Sequence, residues 1–166
     1  GDLSAIVTCE FLYRTACQLF LLATSLDRGV CSYQPDVISL CGRSYMQTLN
    51  LIVCSGLQDE MALQELSHTK SLNLSGCNGL TDVTALQGLS QLQTLDLSGC
   101  RGLTDVTALQ ELSQLKTLNL SGCSYLSEVT ALQGLSQLHT LALSRCNSLT
   151  DVAALQVLSQ LQTLDI

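Results

Sequence analysis

Aromatic residues are scarce, at 4% of the 166 residues, and tryptophan is missing altogether. A core hung on a few large aromatic anchors is therefore excluded, and the abundance of leucine points to many repeated small aliphatic side chains. Charge is scarce as well, at 13%, and seven Lys and Arg stand against 14 Asp and Glu for a net charge of −7. The sequence holds no clustered run of basic residues of the kind nucleic acid demands, and an anionic membrane surface is disfavoured on the same ground. Long apolar runs are also absent. The longest uncharged stretch of the apolar N-terminal region reaches only from Thr15 to Leu26. A membrane span needs about 20 apolar residues, so no insertion is expected. A signal peptide would carry positive charge ahead of its apolar run, whereas this chain opens Gly1-Asp2, so none is read here. Proline occurs once, at Pro35, and no Gly/Ser/Pro linker or low-complexity stretch divides the chain. One continuous domain is expected.

What is present is a period. The block Thr-Leu-Asp-Leu-Ser-Gly-Cys at 94–100 has counterparts at Ser71–Cys77, Thr117–Cys123 and Thr140–Cys146, evenly spaced along the chain. A looser copy runs from Thr48 to Cys54, and a partial one occupies Thr163–Ile166. A fixed period of this length is the signature of stacked supersecondary units, each unable to bury its apolar face alone. The register holds without insertion over 39–166, and the adjacent copies 85–107 and 108–130 agree at 16 of 23 positions.

Residues 1–38 read as an N-terminal cap, because an end unit has one face without a neighbour and needs atypical residues to cover it. Part of that cap, 16–38, is a degenerate repeat. Placing Ser25-Leu26-Asp27 under Thr94-Leu95-Asp96 brings Cys31 under the repeat cysteine and Asp36-Val37 under Asp105-Val106. Arg28 and Gln34 then replace two leucines, and Pro35 replaces Thr104. At the other end the sequence stops within a predicted strand. Apolar core left bare there predicts either a longer chain or self-association through that end.

Within one copy, Leu95 and Leu97 alternate with polar neighbours, the two-residue period of a short strand. Ser98-Gly99 turns the chain, and Leu103, Val106, Leu109 and Leu112 return at three-residue spacing. That spacing suits a short 3₁₀ or irregular helical segment. Stacked coils would pair their strands in parallel. The six strands of the copies from Thr48 onward make a sheet about 25 Å across.

The pattern LxxLxLSxCxxLTDVxxLxxLxx resembles a leucine-rich repeat, over 39–166 firmly and 16–38 in worn form. The return Leu103-Thr104-Asp105-Val106-Thr107-Ala108-Leu109 resembles internalin-like repeats of bacterial surface proteins. Cysteine after the strand, where that class has asparagine, instead resembles the cysteine-containing repeats of F-box proteins. Either resemblance implies an α/β repeat solenoid. It is a curved coil with a parallel β-sheet on its concave face, short 3₁₀ or irregular returns on its convex face, and a protein partner on the sheet.

Two columns invite chemistry. Cys54, Cys77, Cys100, Cys123 and Cys146 recur once per repeat, and Cys31 extends the series. Parallel Cβ vectors on neighbouring coils stay about 5 Å apart, beyond the usual ~3.8 Å of a disulfide. Zinc wants ligands closing around one point, which a straight column does not offer. The expected role is a structural ladder of buried thiols that bond turn backbone. So many free thiols favour a reducing compartment, hence the cytoplasm. The acidic column Asp36, Asp59, Asp82, Asp105, Glu128 and Asp151 supplies one carboxylate per coil. Calcium takes six to eight oxygens, so Thr-Asp capping of the helical return is the better reading. No metal or cofactor is expected.

No catalytic constellation appears. His68 and His139 are the only histidines, on either side of a strand start, and the serines recur in register as turn residues. Phosphate-cradling GxxxxGK[ST] spacing is absent. The strand's outward positions are short and polar, among them Asn73, Asp96 and Asn119. Recognition leans on aromatic and arginine anchors, so the residues that break the uniformity, Arg101, Tyr125, His139 and Arg145, are the candidates for partner contact. The function expected is a non-catalytic protein-interaction scaffold. The alternative is the substrate-recognition part of a larger enzyme, or of a ubiquitin-ligase-type adaptor or effector, whose catalytic segment lies elsewhere. A third reading, a newly duplicated or engineered array, is opposed by the eroded first repeat.

Overall fold

The computed structural model describes residues 25–27, 47–53 and 66–166. Among the described residues seven three-residue strands follow one another in chain order: β1 (Ser25–Asp27), β2 (Thr48–Asn50), β3 (Ser71–Asn73), β4 (Thr94–Asp96), β5 (Thr117–Asn119), β6 (Thr140–Ala142) and β7 (Thr163–Asp165). They form one parallel sheet in the order β1 to β7 without a crossover. The register never slips: Leu49 pairs with Leu72, Leu72 with Leu95, and Leu95 with Leu118. This is one strand more than the six counted from the regular copies. The addition is β1, whose Ser25, Leu26 and Asp27 stand beside Thr48, Leu49 and Asn50. Seven strands at the usual spacing span about 29 Å.

The strands are short because alternation lasts only from Leu95 to Leu97. The chain then turns and returns through 3₁₀ segments at Thr84–Leu86, Thr107–Glu111, Thr130–Gly134 and Ala153–Val157. The three-residue spacing in the sequence has a direct backbone counterpart. Cys77 N–H bonds Leu74, Leu80 bonds Cys77, Leu86 bonds Val83, Leu89 bonds Leu86 and Leu92 bonds Leu89, at 2.9–3.2 Å. Each of these apolar residues is buried while its amide is satisfied by the carbonyl three residues back.

Leucine columns fill the interior. Leu72, Leu95, Leu118 and Leu141 of the strands are 0% exposed, as are Leu89, Leu112 and Leu135 of the returns. Burying one such side chain contributes about 1.5–3 kcal/mol, and every coil between two neighbours repeats the gain. At the last coil the pattern changes: Leu164 is 42% and Ile166 70% exposed. The whole is an α/β repeat solenoid with the sheet on one face and the 3₁₀ returns on the other. Among the described residues no helix is long and apolar enough to cross a membrane. The expected cap 1–38 apart from Ser25–Asp27, with its boundary at residue 38, Cys31 and Asp36, lies outside the described residues, as do Cys54 and Asp59.

Candidate binding surface

Side-chain alternation in β2 to β6 buries the central leucine and turns its neighbours outward. Thr94 is exposed and Asp96 half-buried around Leu95, and Thr117 and Asn119 are half-buried around Leu118. The register sets Asn73, Asp96 and Asn119 side by side on β3, β4 and β5. These three do more than face solvent. Asn73 Oδ1 accepts the Ser75 N–H (2.9 Å), Asp96 Oδ1 the Ser98 N–H (2.8 Å), and Asn119 Oδ1 the Ser121 N–H (3.0 Å). One oxygen of each is therefore committed to the turn that ends its own strand.

That turn also needs a left-handed residue. Gly76, Gly99 and Gly122 have φ of 72°, 70° and 77°, a conformation that costs residues with a Cβ about 1–2 kcal/mol. The next coil departs from the pattern twice: Arg145 takes the glycine position at φ 62°, and Ala142 replaces the asparagine that would brace the turn. His139 is half-buried just before β6 and Arg145 exposed just after it, so the two bracket one strand. Arg101 is exposed in the turn after β4, where its backbone N–H donates to Asn78 Oδ1 of the preceding coil (3.2 Å). Tyr125 is 66% exposed in the turn after β5. The candidate residues thus fall into a strand row on β3–β5 and a border of turns along β4–β6.

Sequence reasoning passed over Lys70 and Lys116. Both are exposed and immediately precede β3 and β5, and their recurrence on the repeat grid was the available signal. The backbone there is tightly tied, since Lys70 O accepts both the Gln93 and Thr94 N–H groups, and Lys116 O accepts those of His139 and Thr140.

The described cysteines are chemically quiet. Cys77, Cys100, Cys123 and Cys146 are buried. Their Sγ–H groups donate to the carbonyls of Leu51, Leu74, Leu97 and Leu120 at 3.1–3.3 Å. Each thiol therefore stitches its coil to the one before. Burial, with the neighbouring thiol second, pushes Cys100 up to about 12. Burial followed by Cys100 and Cys146 does the same for Cys123, so neither supplies thiolate near neutral pH.

On the return side, Asp82, Asp105 and Asp151 each accept the backbone N–H two residues on, from Thr84, Thr107 and Ala153. They brace the 3₁₀ entry from the position before its N-cap residue. Thr107 holds the Asp105 carboxyl below the usual carboxylate range through its side chain first and its N–H second. The threonine in Thr-Asp behaves otherwise than expected. Thr104 Oγ1 donates to the Thr81 carbonyl of the previous coil (3.2 Å) and does not cap its own return. Among the described residues no three His, Cys, Asp or Glu side chains converge on one point.

A sequence profile described as leucine-rich repeats in two copies matches residues 70–111 and 90–134. No curated protein matches the chain. Among solved structures, an internalin from Listeria monocytogenes is similar at TM-score 0.67 and 22% identity, over 89% of this chain and 48% of that one. A leucine-rich-repeat protein from Leptospira interrogans aligns at TM-score 0.63 and 20% identity, over 92% of this chain and 45% of that one. TLR13, solved in complex with ssRNA13, aligns at TM-score 0.69 and 19% identity, over 90% of this chain and 23% of that one. The chain therefore spans about half or less of the structures it resembles, and at these identities the likeness concerns the fold. Repeats of this kind commonly mediate protein–protein interaction and are typically non-catalytic. The constant repeat period, the in-register parallel sheet and the solved structures agree with the profile match: the chain has the leucine-rich-repeat fold, and its residues 70–134 match the leucine-rich-repeat family.

Proposed function

We propose that this chain is a non-catalytic scaffold that binds another protein through the outward face of its sheet and the turns that follow the strands. The observation that carries the reading is the sheet face itself. Its outward side chains on β4–β6 are short and, Ala142 apart, polar, and larger groups stand at its border: Arg101 and Arg145 exposed, His139 half-buried, and Tyr125 66% exposed. Short side chains leave room for a partner's backbone, and arginine and tyrosine are the residue types that dominate binding energy. Four buried, hydrogen-bonded thiols fit a protein of a reducing compartment such as the cytoplasm.

The test is affinity capture from source-cell extract with this chain and a variant carrying Arg101→Ala, Tyr125→Ala and Arg145→Gly. Glycine is chosen at 145 because φ is 62° there, so lost capture would not reflect a strained turn. A protein held by the parent and released by the folded variant is the expected result. Equal capture by both would remove these residues from the site, and capture by neither would count against the reading.

A further inference from the structure

We infer that the sheet face takes an acidic, extended protein segment laid across the strands and held by cations along its borders. The inference rests on reading the outward sheet face as the binding surface. The sequence shows no basic cluster, but folding makes a border of one. Among the described residues there are four Lys and Arg, and all lie close to strand ends. Lys70 and Lys116 directly precede β3 and β5, and Arg145 and Arg101 stand in the turns that follow β6 and β4. Among the described residues none of the four has an ion-pair partner.

Five of the eight acids among the described residues stand on the return side. Asp82, Asp105, Glu128 and Asp151 stand at the entries to the returns, and Glu111 closes the segment Thr107–Glu111. In a chain of net charge −7, this separation leaves the described cations unneutralised beside the sheet. Complementary potential of that kind selects and steers an acidic partner.

The geometry suits an extended segment. Lys70 and Lys116 occupy the same place two strands apart, about 10 Å, with Gln93 between them and His139 beyond. A segment crossing the strands would meet a cation, an amide, a cation and an imidazole in order along one border, with Arg101 and Arg145 along the other. Asp27, Asp96 and Asp165 lie on the strands between the borders. Acidic side chains of the segment must therefore reach outward to the rows and not down to the sheet. A single-stranded nucleic acid would also seek positive charge, but it binds by stacking bases on aromatic platforms. The one Phe, Tyr or Trp among the described residues is Tyr125, which sits in a turn.

The test uses a short fluorescein-labelled peptide of alternating Glu and Ser, titrated with the full chain at low ionic strength and followed by anisotropy. A Lys70→Gln/Lys116→Gln variant and a return-side control, Asp82→Asn/Glu128→Gln, are titrated alongside, with a uridine oligonucleotide of equal charge as competitor. Both Lys side chains are exposed, so the variant should melt with the parent. The expected result is binding by the parent that weakens about tenfold in the lysine variant, is unchanged in the control, falls with added salt, and resists the oligonucleotide. Absent binding by the parent, equal binding by the lysine variant, or displacement by the oligonucleotide at matching concentration would each overturn the inference. The scaffold reading fails separately, through loss of protein capture that does not depend on the sheet face.

Discussion

Arg145, like Val53 (φ 55°) at the same place in an earlier coil, works against the geometry of the turn, and replacing it by glycine should stabilise the protein. At the same place in the three preceding coils glycine holds φ at 70–77°, whereas Arg145 is forced to 62°. Relief of a left-handed residue with a Cβ is worth about 1–2 kcal/mol. Glycine gives back about 0.4–1 kcal/mol through the greater freedom of the unfolded chain. The net expectation for Arg145→Gly is a gain of about 0.5–1 kcal/mol, or roughly 2 °C in Tm for a chain of this length. Adding Ala142→Asn should restore the brace that Asn119 gives Ser121 N–H, for about another 0.5–1 kcal/mol. The two sites share one turn, so their sum need not be additive. The mirror change, Gly122→Ala, should cost about 1 kcal/mol. Its added Cβ would meet Gly99 Cα at 3.5 Å, an ordinary contact, so the loss isolates the backbone term. Urea denaturation at constant m measures all three. An unchanged or lowered midpoint for Arg145→Gly would refute the reasoning.

Other expectations follow from the core, the thiols and the acids. Leu95→Ala, at a fully buried strand position, should destabilise by about 3 kcal/mol in the same assay. Cys100, Cys123 and Cys146 are buried thiols, so alkylation with mass-spectrometric mapping should leave them unlabelled in the native protein and label them in denaturant. Rapid native labelling of Cys100 would contradict its assigned burial. Asp105 titrates below its ordinary value in the folded state. It therefore adds stability above the usual carboxylate range, and that contribution is lost as pH falls through the lowered folded value. Because Asp105 is exposed the effect is small: a slight Tm deficit of Asp105→Asn near neutrality should vanish in acid.

Much of the fold was legible because one period governs everything. Once Leu95 and Leu97 are read as strand and Leu103 to Leu112 as a return, copying at the repeat interval yields the parallel sheet and the 3₁₀ side. The count of six strands fell short by β1. Aligning Ser25-Leu26-Asp27 with the repeat already marked that strand, but the lost leucines at Arg28 and Gln34 hid its weight. Bonds between coils were harder to see. The partner of Cys100 is Leu74 O, and that of Thr104 is Thr81 O. Neither can be read from a single copy, because each depends on how two coils stack. Asn73, Asp96 and Asn119 read from sequence as outward polar residues, and only the turn geometry reveals that each spends an oxygen on its own backbone. The cationic border was invisible for a similar reason: Lys70, Arg101, Lys116 and Arg145 are scattered along the chain, and stacking is what brings them beside one sheet.

The central claim, that the sheet face is where a partner docks, is tested most directly by equal bulk on opposite sides. One variant carries Thr94→Tyr and Thr117→Tyr on β4 and β5, and another carries Gln110→Tyr and Gln133→Tyr on the exposed returns. Tyrosine suits a strand, and circular dichroism would check that both variants fold. Capture from source-cell extract should lose its protein with the sheet variant and keep it with the return variant. Loss with the return variant alone would contradict the account.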